Sequence, residues 1–276
     1  MSAVRPWGRL EMSMSEGLVF AVGDLHGRLD LAWAVVDLLA AQARGGAYRA
    51  VFLGDYVDRG PDSRGLVQFL MSLGVDPRFV FLKGNHEAMM VEALLRKDPA
   101  AFTRWRQAGG RETLASYGAE TFDEALTRVP AAHLRWMDAL PLTSGDGHRI
   151  FVHAGLAPGV PLERQSAASC LWIREKFLKA PARAFDLHVV HGHTPVWDEK
   201  PDAGEPEILA HRTNLDLAAY ATGRVAIGVF DPAQAGGPLE ILVLERLSDG
   251  PIRIERRAPA TASKPARWSA RLGLRG

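Results

Sequence analysis

The chain has 276 residues, 47% of them hydrophobic and 24% charged, with a formal net charge of +1; it is long enough to bury a core unaided, and its charge gives no ground for a nucleic-acid or membrane-surface partner. The single cysteine, Cys170, excludes an internal disulfide framework and fits a reducing compartment. No apolar run reaches the length of a membrane span, and residues 1–17 contain no signal-peptide core, so a cytoplasmic location is expected.

In chain order, residues 18–22 are a short apolar run ending in Gly-Asp, the pattern of a buried strand. Residues 29–41 carry apolar side chains at helical spacing, and Gly45-Gly46 stops them. The pattern repeats as a strand at 50–53, a helix at 63–73, a strand at 79–82 and a helix at 87–97, which indicates βαβ units and a largely parallel sheet. Residues 98–140 change character: they are helix-rich, carry Trp105 and Trp136, and are expected to form a helical insertion or cap. Strand-like runs return at 149–152, 187–190, 208–213, 225–230 and 239–245, as though a second, mixed sheet packed on the first. The catalytic domain is thus expected over residues 18–250, between an N-terminal extension (1–17) and a basic tail (251–276). That tail holds seven arginines and lysines against Glu255, and is expected to be solvated rather than a polyanion-binding arm.

Five segments carry the chemistry: Gly23-Asp24-Leu25-His26-Gly27, Gly54-Asp55-Tyr56-Val57-Asp58-Arg59-Gly60, Gly84-Asn85-His86-Glu87, His153-Ala154-Gly155 and His191-Gly192-His193-Thr194. Each follows a strand-like run, and in open α/β sheets the carboxyl ends of the strands converge on the ligand crevice. Alone, a Gly-Asp is more often a turn and a histidine more often structural; five segments in this order are a different matter. They would bring together Asp24, His26, Asp55, Asn85, His153 and His193, which offer carboxylate, imidazole and amide oxygen without thiolate. That set suits hard or borderline divalent ions, Mn²⁺ first, with Fe and Zn²⁺ as alternatives. It is too large for one open ion and suits two sharing a carboxylate, a pairing that can polarise a phosphoryl group and make water nucleophilic.

The ordered segments resemble the phosphoprotein phosphatase family of metallophosphoesterases, in particular its compact bacterial and phage members, over about residues 19–230. The resemblance implies an α/β architecture, the calcineurin-like αββα sandwich of two mixed sheets flanked by helices. It implies that Asp24 and His26 bind a first metal, that Asp55 bridges, and that Asn85, His153 and His193 bind a second. His86 would be the general acid, oriented by Asp58, while Arg59 and Arg174 would hold the phosphate. The substrate would be a phosphorylated protein or peptide. Gly109-Gly110-Arg111-Glu112-Thr113-Leu114 and Ser116-Tyr117-Gly118 look like the small-enzyme branch. There are three departures. Lys83 stands where many members have arginine, so any phosphate contact there loses the bidentate fork. Asp216-Leu217-Ala218 replaces Asp-Thr-Gly, which puts support for the metal ligands in doubt. His191 is an extra histidine, read as structural.

Two rivals remain. A symmetrical dinucleoside tetraphosphate hydrolase shares the metal scaffold; those enzymes usually carry alanine where this chain has Asp58. A metal-bound, non-catalytic scaffold is the other, and the full complement of ligands and acid counts against it. Neither the oligomeric state nor the physiological substrate follows from the sequence.

Overall fold

The computed structural model describes residues 17–195, 205–246 and 250–258. The first half alternates strand and helix as β1 (Leu18–Val22), α1 (Leu29–Ala43), β2 (Tyr48–Phe52), α2 (Ser63–Leu73), β3 (Phe79–Phe81) and α3 (Asn85–Met90). β1, β2 and β3 pair in parallel. All five β2 residues are buried, as expected of a strand covered on both faces. The period-2 alternation divides β1 between two cores. Phe20 and Val22 pack with Leu31, Leu39, Leu66 and Leu70 of α1 and α2. Val19 and Ala21 turn the other way, toward Phe151, Val190 and Leu215.

Phe151 and Val190 belong to the second sheet and Leu215 follows directly on it; that sheet is formed by β4 (Thr143–Gly145), β5 (Arg149–Val152), β6 (His188–His191), β7 (Glu207–Ile208) and β8 (Arg212–Asn214) in the order β4-β5-β6-β8-β7. β5, β6 and β8 are parallel; the outer pairs are antiparallel. Its far face packs Ile150, Val152 and Val189 against Cys170 and Phe177 of the short helices α8 (Ala167–Trp172) and α9 (Glu175–Leu178). The layers are therefore helix, sheet, sheet, helix, the αββα order. The expected single strand over 208–213 is corrected: it is two short antiparallel strands joined by a turn.

Residues 224–257 also depart from expectation. After the short helix α10 (Ala219–Thr222), β9 (Arg224–Phe230) and β10 (Glu240–Glu245) do not extend the second sheet. They return to the first, β9 lying antiparallel to β1 and giving the order β11-β10-β9-β1-β2-β3. β11 (Arg253–Arg257) corrects the reading of a solvated tail from residue 251, since these residues pair antiparallel with β10. Arg256 bonds Glu240, and Arg257 pairs with Glu255 and Glu205. A charged, exposed edge is how sheets discourage further pairing. Residues 1–16 and 259–276 lie outside the described residues.

The helical insertion is built on α3, which runs on through a π-helical turn (Val91–Leu95), then α4 (Pro99–Trp105), a second π-turn (Arg106–Gly110), α5 (Arg111–Ser116), α6 (Phe122–Arg128) and α7 (Ala131–Ala139). Asp98 caps α4 and Thr121 caps α6 with a reciprocal Glu124 contact. The insertion has its own core of Met90, Leu94, Phe102, Trp105, Leu114 and Met137. No helix among the described residues is long and apolar enough to cross a membrane.

Candidate dinuclear metal centre

Five strand ends meet where the two sheets face each other. β1, β2 and β3 deliver residues 23–27, 54–60 and 84–87; β5 and β6 deliver His153 and residues 192–194. The backbone is unusual here. His26, Asp55, Asp58, Arg59 and His193 all have positive φ, between +41° and +74°, a conformation non-glycine residues take at a cost of order 1 kcal/mol or more each. The neighbouring loops hold it in place: the amides of Leu25 and His26 donate to the Asp55 carbonyl and that of Gly27 to the Tyr56 carbonyl. The fully buried Glu87 carboxylate accepts the amides of Asp55, Tyr56, Val57 and Gly84. Gly192 is required by close approach, because a Cβ there would lie 2.0 Å from Asp24 Oδ1.

Asp55 occupies the middle. Its Oδ2 lies 3.5 Å from His26 Nε2 and 3.9 Å from His86 Nε2, and its Oδ1 lies 3.4 Å from His153 Nε2. Ligand atoms of His26, Asp55 and His86 cluster within 4.8 Å of one another, and so do those of Asp55, His153 and His193. Asn85 Oδ1 joins the second cluster at 2.9 Å from both His153 Nε2 and His193 Nδ1. Asp24 is in neither trio by that measure. Its Oδ2 accepts the His193 amide, and its buried Oδ1 has no hydrogen-bond partner among the described residues.

The donor set fits divalent cations. His26 and His153 each donate Nδ1–H to a backbone carbonyl, of Val57 and Leu53, which turns the Nε2 lone pair toward Asp55. Burial drives the imidazole pKa values down, to about 3 for His26 and about 2 for His193, so these rings are neutral. Burial would raise Asp55, but the surrounding histidines hold it well below the usual carboxylate range. Asp24 is raised by burial and by the nearby charges of Asp216 and Asp55. Neutral imidazoles, facing acceptors and crowded buried carboxylates are a repulsive arrangement that dications would relieve.

On the Asp55 Oδ2 side, His86 Nδ1 donates to Asp58 Oδ2 at 2.6 Å. Burial works against protonation of His86, yet Asp55 and Asp58 outweigh it and raise its pKa. Arg59 donates to His26 Nε2 at 3.0 Å and lies over the Tyr220 ring, 5.1 Å from its centroid. Arg174, on the surface, reaches Thr194 Oγ1 at 3.2 Å, beside His193. Lys83 is engaged elsewhere, donating to the Asp138 carbonyl of α7 at 2.7 Å. His191 stays out of the centre, its ring edge-on to Phe177 and contacted by Arg212. Asp216 Oδ1 accepts the amide of Ala218, which sits at φ +51° where a glycine would be unstrained. Sequence reasoning did not reach the fourfold role of Glu87, the Tyr220 ring against His26 and Arg59, or the contacts of Trp105 and Thr113 with Asp58. Apart from Gly84, three residues before Glu87, the partners of these side chains are remote in sequence, and no spacing signals them.

Beside Tyr220 lies a cavity of about 570 Å³ whose walls include Arg28, Trp33, Asp62, Thr222 and Arg246. Arg28 is neutralised by Asp30, and Trp33 is 53% exposed.

Residues 18–223 match the profile of the calcineurin-like phosphoesterases. A symmetrical bis(5'-nucleosyl)-tetraphosphatase of Janthinobacterium sp. (strain Marseille) is 26% identical over 272 residues, covering 92% of this chain and 83% of that protein. Serine/threonine-protein phosphatase 2 of Escherichia coli (strain K12) is 34% identical over 92 residues, 33% of this chain and 38% of the relative. Among solved structures, a candidate diadenosine tetraphosphatase superposes with a TM-score of 0.53 at 22% identity, covering 89% of this chain and 96% of that one. That likeness supports the fold alone. With the αββα layers and the histidine–aspartate clusters at the strand ends, the profile match over most of the chain places this protein in the calcineurin-like phosphoesterase family, as a metallophosphoesterase-type hydrolase.

Proposed function

We propose that the chain hydrolyses phosphate monoesters with poor, alkoxide leaving groups, phosphoserine or phosphothreonine in a protein or peptide being the natural class. The observation that carries this reading is the His86–Asp58 pair, 2.6 Å apart and buried at the edge of the histidine–aspartate clusters. An alkoxide needs a proton as it departs, and an oriented imidazole can give one. In this reading Asp24, His26 and Asp55 would hold one ion, and Asp55, Asn85, His153 and His193 the other. Such ions would supply Lewis-acid charge for the phosphoryl group and an acidified water. Arg59 and Arg174, on the two sides of the clusters, would grip the phosphate oxygens through their planar forks. Mn²⁺ remains the first choice of metal.

A second reading has its own support. Symmetrical bis(5'-nucleosyl)-tetraphosphatases are matched over nearly the whole chain, whereas the protein phosphatase likenesses cover a third to a half of it. Likeness over length therefore favours a dinucleoside tetraphosphate, and the cavity walled by Trp33 and Tyr220 falls in the size range of small-molecule sites. The residue chemistry favours the ester, because a nucleotide leaving from an anhydride is already stable and gains little from a proton donor. The deciding experiment measures kcat/KM for a phosphopeptide panel and for diadenosine tetraphosphate, with wild type and Asp58→Ala. The ester reading expects phosphopeptides to be preferred and Asp58→Ala to narrow the preference. Far faster cleavage of the dinucleotide by wild type would replace the first reading with the second.

A further inference from the structure

Asp58 is fully buried, and His86, on Oδ2, is only one of its carboxylate's partners. Trp105 Nε1 bridges them, 3.0 Å from Oδ1 and 2.9 Å from Oδ2. Thr113 Oγ1 lies 2.7 Å from Oδ1 and 2.8 Å from the Asp58 amide, so one hydroxyl clamps side chain and backbone of the same residue. Ser63 Oγ accepts the same amide at 3.1 Å. Both Trp105 and Thr113 are themselves fully buried, and both come from the helical insertion. The Gly109 carbonyl, from the same stretch, accepts the Arg59 amide at 3.0 Å. The chain permits this closeness at Gly110, where a Cβ would lie 2.7 Å from the Trp105 ring.

A carboxylate held only by His86 could rotate about its last torsion, which is broad and twofold. A donor bridging both oxygens fixes the plane, and a second on Oδ1 leaves Oδ2 for the imidazole. Asp58 and Arg59 also sit at φ +74° and +68°, conformations that need outside support.

We propose that Trp105 and Thr113 are positioning residues for the proton donor: the insertion fixes the Asp58 carboxylate and thereby aims His86 at the leaving-group oxygen. This rests on the reading of His86 as the acid. The insertion is then part of the leaving-group chemistry as well as a wall that shapes access. A merely structural Trp105, filling the core beside Phe102, would affect stability and all substrates alike.

The test compares the metal-loaded full-length enzyme on an alkyl phosphate, such as phosphoserine peptide, and on p-nitrophenyl phosphate, whose leaving group needs no proton. Because an oriented acid contributes about 10²–10⁴-fold, Trp105→Phe and Thr113→Val should each lower kcat on the alkyl phosphate by about 10-fold or more. The aryl phosphate should lose less than about threefold, with KM and metal content unchanged. Thr113→Ser, which keeps the hydroxyl, should restore the alkyl-phosphate rate, and the serine–valine comparison decides the matter if Trp105→Phe does not fold. Equal losses on both substrates, or no loss on the alkyl phosphate, would overturn the positioning role and leave the acid intact. A wild type inert toward every alkyl phosphate would overturn the acid reading itself, and the positioning role with it.

Discussion

At the scale of single residues, the centre sorts its groups by what each ring nitrogen already does. His26 and His153 give Nδ1–H to carbonyls and keep Nε2 for the interior, whereas His86 gives Nδ1–H to a carboxylate. The carboxylates beside His86 favour its protonated form, as a proton donor needs, whereas the carbonyls behind His26 and His153 fix the tautomer that leaves Nε2 free. His86→Asn should therefore retain two bound ions by elemental analysis while alkyl-phosphate turnover falls about 10²–10⁴-fold. Loss of one ion instead would make His86 a ligand, consistent with its place in the cluster with His26 and Asp55. The residues brought together here were readable because each sits just after an apolar strand, where topology alone brings distant segments into one crevice. Glu87 was readable only as part of a motif. Its work is to accept amides from residues about thirty positions earlier, and nothing in local spacing signals that.

At the scale of elements, alternating strands and helices announced β1 to α3, while the sheet membership of β9 and β10 did not show in the sequence. Either sheet would bury the same apolar alternation, and the choice depends on pairing with β1, some two hundred residues away. β11 was obscured by its arginines, which suit an exposed edge as well as a solvated tail. The second sheet carries a testable electrostatic feature in β6. His188 is 5% exposed, with Nε2 at 2.8 Å from Thr213 Oγ1 and Nδ1 at 3.3 Å from the Ala210 carbonyl. Burial, aided by the charges of Arg149 and His211, pushes its pKa down to about 4. The unfolded chain binds this proton near pH 6.5, so the stabilising contribution is complete above that pH. It is lost as pH falls from about 6.5 toward 4, at up to about 1.4 kcal/mol per pH unit. Thermal unfolding should thus show a smaller drop in Tm between pH 7.5 and 5 for His188→Gln than for wild type. An identical drop in both would mean the ring is not held neutral in the fold.

At the scale of the whole molecule, the two sheets divide the centre between them. β1, β2 and β3 bring Asp24, His26, Asp55 and Asn85; β5 and β6 bring His153 and His193. Neither half holds both clusters, so ion binding should tie the sheets together and raise the unfolding temperature as ligand linkage requires. In the proposed reading, substrate choice would fall to the insertion and the cavity beside Tyr220, outside this framework, and no motif in the sequence spells out either surface. Whether the centre works through two ions is decided by counting metal per chain and assaying phosphatase activity before and after chelation. The active enzyme should carry two ions per chain, lose all activity once they are removed, and recover on adding back divalent ions, best with Mn²⁺. Full activity in excess chelator, with no metal detected by elemental analysis, would contradict a two-ion centre.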